Sequence, residues 1–295
     1  MKIGVIYPQT ELGGDPLAVG RIGVAVEQLG FDHLLAYDHV VGGPHDREPK
    51  LWGPYTEHHP FHDPFVLFAY LAAITRRIEF VTGILILPQR QTALVARQAA
   101  DLDLLSGARF RMGVGIGWNY IEYDALGQDF ATRGARVGEQ VGLLRALWSD
   151  PLVDFEGRFD RIDRAALNPK PRRPIPIWLG GFADVALKRA AAIADGFIFA
   201  DGAADAFEVT PRLRDFVRAE GRDPDTFGLH INMLRAKTSE AVVETVARWR
   251  DIGGSHASIN TMGQGFATAD EHLDYIAGVG DALRAAGLLE EPARP

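Results

Sequence analysis

The stretch Phe110 to Gly127, FRMGVGIGWNYIEYDALG, decides how the chain is read. A β-type segment runs into glycines at 113, 115 and 117, followed by an amide, an aromatic residue and a carboxylate. Glycine permits backbone conformations closed to other residues and lets a ligand approach the main chain. Taken alone, the string is either a tight structural turn or a binding turn. It is also one strand handing over to one helix, and that unit recurs on both sides.

Upstream, Lys2 to Tyr7, His33 to Tyr37 and Glu79 to Leu87 read as strands, with helices over Pro16 to Leu29, from Asp63-Pro64 through Ile74, and over Gln91 to Leu105. Glu79 to Leu87 is almost continuously apolar, as expected of a strand covered on both faces. Downstream come a helix over Arg133 to Trp148, a strand over Ile175 to Leu179 and a helix over Ala183 to Ala194. Strands over Gly196 to Ala200, Phe227 to Leu234 and His256 to Thr261 follow, with helices at Pro211 to Ala219, Ser239 to Ile252 and Ala269 to Ala286. Eight strands alternating with helices predict a parallel α/β sheet closed as a (β/α)8 TIM barrel, with an open doubly wound sheet as the alternative. We therefore expect one domain over residues 1–295, interrupted by insertion loops near 41–62 and 150–174. The second loop is expected to be irregular.

Composition narrows the function. With 47% apolar and 24% charged residues, the chain has ample material for a core. A net charge of -8 argues against a nucleic-acid partner, whose usual signature is a basic surface. The absence of cysteine excludes disulfides, thiolate catalysis and Cys-ligated metal sites. No apolar run approaches the length of a membrane span, so no membrane association and a cytoplasmic location are expected. His58, His59, His62 and Asp63 have the composition of a metal site, but Pro60 breaks the helix that would align them, and no metal is expected.

In such barrels the active site lies at the C-terminal ends of the strands. That rule brings together Asp38 and His39, Gly83 to Leu85, Gly115 to Asn119, Gly180 and Gly181, Asp201 and Thr261. Histidine titrates near neutrality and suits acid/base work. A glycine inside an apolar strand, as at Gly83, marks a bulge or a close backbone approach. Gly180-Gly181-Phe182 precedes a helix whose free N–H groups suit an anion. Asn119 suits a helix cap.

The ordered set DH after the second strand, TGIL at 82–85, RQAADLDLLSGAR at 97–109, GVGIGWN at 113–119 and PIWLGG at 176–181 resembles the bacterial luciferase-like superfamily, particularly its coenzyme F420 (deazaflavin) branch. The resemblance implies an oxidoreductase that moves a hydride between the coenzyme and an organic substrate, with His39 catalytic. It further implies cofactor contacts from Asp38, Gly83, Ile84, Gly115, Asn119, Gly180, Gly181 and Phe182, a cis peptide at Gly83-Ile84, and a homodimer. Lys170, Arg172 and Arg173 are available to a polyanionic tail. Sugar-phosphate dehydrogenases of that branch carry a Glu where Ile116 stands, so a more apolar small-molecule substrate is expected, with Trp52, Tyr55, Trp118 and Phe266 available to line its pocket. The alternatives are a luciferase-like monooxygenase using FMN and a non-catalytic cofactor-binding paralogue.

Overall fold

The computed structural model describes residues 1–202 and 205–291. Its elements are β1 (Lys2–Ile6), α1 (Pro16–Gln28), β2 (His33–Ala36), α2 (Pro64–Ile74), β3 (Glu79–Thr82), β4 (Leu85–Ile86), α3 (Thr92–Ser106), β5 (Phe110–Gly115), α4 (Tyr120–Ala125) and α5 (Arg133–Ser149). They continue with β6 (Val153–Glu156), β7 (Arg161–Ala165), β8 (Ile177–Gly180), α6 (Asp184–Ile193), β9 (Gly196–Ala200), α7 (Ala206–Ala219), β10 (Gly228–Met233), α8 (Ser239–Asp251), β11 (His256–Ile259) and α9 (Ala269–Ala285). The main sheet runs β3-β2-β1-β11-β10-β9-β8-β5-β4 and closes because β3 also pairs with β5. β3 and β4 are two halves of one stave, so the closed parallel barrel has eight. Closure excludes the open doubly wound sheet.

Local chemistry sets the helix starts. Asp15 and Asp63 each precede a proline, and their carboxylates accept the first free N–H groups of α1 and α2. Helices then bury apolar faces on the outside of the strands: Val95, Ala96, Ala99 and Ala100 of α3, and Val137, Val141 and Leu144 of α5. Each large side chain buried this way contributes about 1.5–3 kcal/mol.

The barrel interior has distinct levels. At the N-terminal end lie His33, Glu79 and His256, each the first residue of its strand, with Arg111, His230 and Ser258. Above them Ile6, Leu35, Val81, Ile198 and Met262 form an apolar plug with Trp178. Tyr37, Ile84 and Leu234 cap that plug and face the mouth. Among the described residues no helix is long and apolar enough to cross a membrane.

Two expectations are corrected. Residues 150–174 are not irregular throughout, since β6 and β7 form an antiparallel hairpin. Its strands are short, mostly exposed and charged, and only Val153, Phe155 and Ile162 turn toward the core; Glu139 holds its turn by accepting from the N–H groups of Arg158, Phe159 and Asp160. Helix α7 begins at Ala206 rather than Pro211, because Asp205 caps it by accepting from Phe207 and Glu208. Pro211 sits inside the helix, where it withholds one backbone donor.

Candidate active site

The third stave is broken where a glycine was expected to disturb it. Gly83-Ile84 is a cis peptide, and β4 resumes beyond it, pairing Leu85 with Val114 and Ile86 with Gly115. Gly83 and Ile84 are half-exposed between fully buried neighbours, so the bulge surfaces at the mouth. The Ile84 side chain explains two glycines: a Cβ on Gly115 would lie 2.5 Å from Ile84 Cδ1, and one on Gly180 would lie 3.0 Å from Ile84 Cγ2. Gly115 thus first makes room for Ile84. Gly117 has φ +63, a left-handed turn that favours glycine. Ile116 packs against the core between barrel and helices, and its carbonyl accepts from the Tyr123 hydroxyl at 2.7 Å.

Asp38 and His39, adjacent at the end of β2, have different environments. Asp38 is buried and accepts from Ile86 N at 2.9 Å and from Arg90 Nη2 at 2.6 Å and Nε at 3.2 Å. Burial pushes its carboxyl up, while Arg90 and the Ile86 N–H favour the carboxylate. The same guanidinium reaches Asp63 Oδ2 at 3.0 Å, tying the end of the 41–62 insertion to the barrel. His39 instead points Nδ1 at Glu122, 3.2 Å from Oε1 and 3.3 Å from Oε2. Its ring is walled by Phe61 at 4.8 Å, Tyr55 at 5.2 Å and Trp118 at 5.5 Å between centroids. Among the described residues His39 Nε2 has no hydrogen-bond partner, and the side chain retains 9% exposure.

The aromatic wall comes from the insertion folding back over the glycine turn. Gly53 lies against the Trp118 ring, and Trp52 lies 5.9 Å from it. Asn119 caps α4 by accepting from Ile121 N, and its amide donates to Val41 O at 3.0 Å. Both ends of that amide are thus occupied, by the cap and by the insertion's first residues. Tyr37, 6.4 Å from Tyr55, completes the wall on the barrel side; burial raises its phenol well above the usual range, keeping it neutral. Phe266 meets His272 edge-on at 5.3 Å and lies 5.6 Å from Tyr275 between centroids.

On the other side of the mouth, Gly180 and Gly181 lead into α6, whose first turn has no side-chain cap, and Phe182 is 56% exposed. Arg133 lies 3.7 Å over the Phe130 ring, itself 5.2 Å from Tyr123. A Cβ on Gly134 would lie 3.7 Å from Arg189 Nη2. Nε of Arg133 and of Arg136 is buried without a partner, and among the described residues neither they nor Arg189 pair with a carboxylate. These half-buried arginines are the cations near the mouth suited to an anionic group. Lys170 and Arg173 are elsewhere: they bond Leu147 O, Asp103 and Phe110 O, toward the N-terminal end. Asp201 accepts from Leu234 N at 2.7 Å, and Thr261 bonds His272 at 2.8 Å.

Glu122 and Arg90 were not read from the sequence. Glu122 stands three residues after a capping Asn, a position that places it in the first turn of α4, but nothing in the local pattern reveals that this turn is buried against His39.

The likeness to known proteins follows the same architecture. An uncharacterized protein of Mycobacterium tuberculosis is 34% identical over 74% of this chain and 77% of its own length. An F420-dependent glucose-6-phosphate dehydrogenase of Nakamurella multipartita is 31% identical, covering 71% of this chain and 60% of that protein. A pyrimidine monooxygenase of Acinetobacter baylyi is also 31% identical, over 81% and 64% respectively. Among solved structures, an F420-dependent secondary alcohol dehydrogenase in complex with an F420-acetone adduct superposes with a TM-score of 0.77 at 19% identity, covering 96% of this chain and all of that one. The luciferase-like monooxygenase family matches residues 1–292, and the chain belongs to that family.

Proposed function

We propose that the chain is an F420-dependent oxidoreductase that transfers a hydride between the coenzyme and a small, apolar organic substrate. The observation that carries this reading is His39, held at Nδ1 by a buried carboxylate, enclosed by aromatic rings and, among the described residues, without a partner at Nε2, at the end of the strand next to the one broken at Gly83-Ile84. F420, when bound, supplies a carbon that donates or accepts the hydride. Ile84 offers it an apolar surface, the Gly180-Gly181 turn offers backbone N–H groups, and Arg133, Arg136 and Arg189 offer charge for an anionic tail. His39 Nε2 gives or takes the accompanying proton at the substrate heteroatom, while Tyr55, Phe61 and Trp118 exclude water. The aromatic wall favours an apolar substrate over a sugar phosphate. The monooxygenase relative supports FMN as the competing cofactor of the same mouth.

Titration with oxidised F420 and with FMN, followed by tryptophan quenching, tests this directly. Submicromolar F420 binding is expected; FMN binding with no F420 response overturns it. Retained turnover of an identified substrate by His39→Ala removes the proton-transfer role. We further propose that the chain pairs with a second copy through α2, which lacks charged residues and exposes Val66, Tyr70 and Ile74. Equilibrium sedimentation giving a monomer at micromolar concentration overturns that pairing.

A further inference from the structure

Glu122 has no exposed surface and, among the described residues, pairs with no Lys or Arg. Its hydrogen-bond donors are His39 Nδ1 and the backbone N–H of Val40, which reaches Oε1 at 2.5 Å. A buried carboxylate without a cation is expensive unless hydrogen bonds offset its lost hydration. Here the carboxylate is aimed at one nitrogen of a mouth histidine and at the main chain of the next residue. Asp38, although adjacent in sequence to His39, is turned away and committed to Arg90 and Ile86.

We propose that Glu122 is the positioning residue of His39. Accepting at Nδ1, it keeps the neutral imidazole proton on that nitrogen, so the lone pair at Nε2 faces the mouth. When Nε2 takes a proton, the ring becomes an imidazolium whose charge is met by the Glu122 carboxylate; when Nε2 gives it up, the neutral ring returns to the same tautomer. Binding Val40 N fixes the backbone on the far side of His39, and Asn119 fixes Val41 O, so α4 sets the ring orientation and the root of the insertion together. This rests on the reading of His39 as the proton carrier, but its first test needs neither cofactor nor substrate.

Nitrogen-15 NMR of histidine-labelled protein, with His39→Asn to assign the signal, reports the tautomer. The wild type is expected to hold the Nδ1–H form when neutral, Glu122→Ala to shift toward Nε2–H, and Glu122→Gln, whose oxygen still accepts both N–H groups, to restore Nδ1–H. A wild-type ring in the Nε2–H form, or the same tautomer in wild type and Glu122→Ala, overturns the proposal. Glu122→Gln also covers the case in which the alanine variant fails to fold. With a substrate in hand, Glu122→Ala is expected to lower kcat by ~10²-fold or more with KM little changed, and Glu122→Gln to recover part of it. An equal loss in both variants entirely in KM overturns the proposal. The expected tautomers together with undiminished turnover by His39→Ala would support the positioning role and overturn the catalytic one.

Discussion

At the N-terminal end of the barrel, His33 and His230 share the Ser258 hydroxyl at 2.8 and 2.7 Å, and His230 meets Arg111, which is stacked on Trp178 and paired with Glu79. At the mouth, His39 meets a carboxylate and leaves its other nitrogen open. Both groups touch aromatic rings, but His33 and His230 are fully buried whereas His39 keeps some exposure, and their charged partners differ as well. The lower cluster has a cation, Arg111, within hydrogen-bond distance of His230, whereas His39 has a carboxylate, Glu122. Burial first, then the Arg111 charge, drives the pKa values of His33, His230 and His256 down. The lower histidines belong to a buried polar core and are held neutral, and under the proposed function the upper one moves a proton.

Exchanging the two losses gives the largest expected effect. His39→Asn, whose amide can still donate to Glu122, should cut turnover ~10²- to 10⁴-fold with little change in unfolding free energy. His230→Ala should do the reverse, costing about 2–4 kcal/mol by leaving Arg111 and Ser258 short of partners, with activity per folded molecule preserved. Chemical denaturation beside steady-state rates reads both, and parallel losses in the two variants would erase the distinction.

Acid sharpens the same contrast. The unfolded chain binds protons on the three lower histidines as pH falls through about 6.5, and the folded chain does not. Their contribution is therefore full above pH 6.5 and is lost below it, by about 1.4 kcal/mol per histidine per pH unit. Urea unfolding at pH 7 and pH 5.5 measures the slope, which His33→Asn should flatten. A stability independent of pH in that window would mean that these rings protonate in the native state.

Smaller effects are expected around the bulge. Gly115→Ala should displace Ile84, costing about 1–3 kcal/mol and weakening coenzyme binding, because the new Cβ meets Ile84 Cδ1 at 2.5 Å. Arg133→Ala with Arg136→Ala should leave stability nearly unchanged and weaken coenzyme binding by roughly tenfold, more at low salt than at high salt. An unaltered affinity would place the anionic tail elsewhere.

The barrel was legible because the βα units carry local punctuation: Asp-Pro at the starts of α1 and α2, glycine at the ends of β5 and β8, and apolar runs within the strands. The cis bond at Gly83-Ile84 was legible only through family resemblance, and Asp38-His39 through the rule that strand ends share one mouth. What escaped depends on contacts between distant segments. Arg90 and Asp38 are 52 positions apart, and Glu122 and His39 are 83 apart, with no periodicity linking either pair. Arg133, Arg136 and Arg189 lie on two helices with no motif to single them out, while Lys170 and Arg173 were conspicuous in sequence but lie toward the opposite end.

The insertion at 41–62 is anchored at one end by Glu122 and Asn119, and at the other by the Arg90–Asp63 pair. Its anchors belong to α4 and the barrel rim, while its middle sets Tyr55 and Phe61 against the His39 ring. Under the proposed function, the chain thereby separates what it does from what it does it to. Replacing the segment between the anchors would be a route to new substrates that leaves the chemistry intact, making this insertion the natural unit for evolution or for an engineer to exchange.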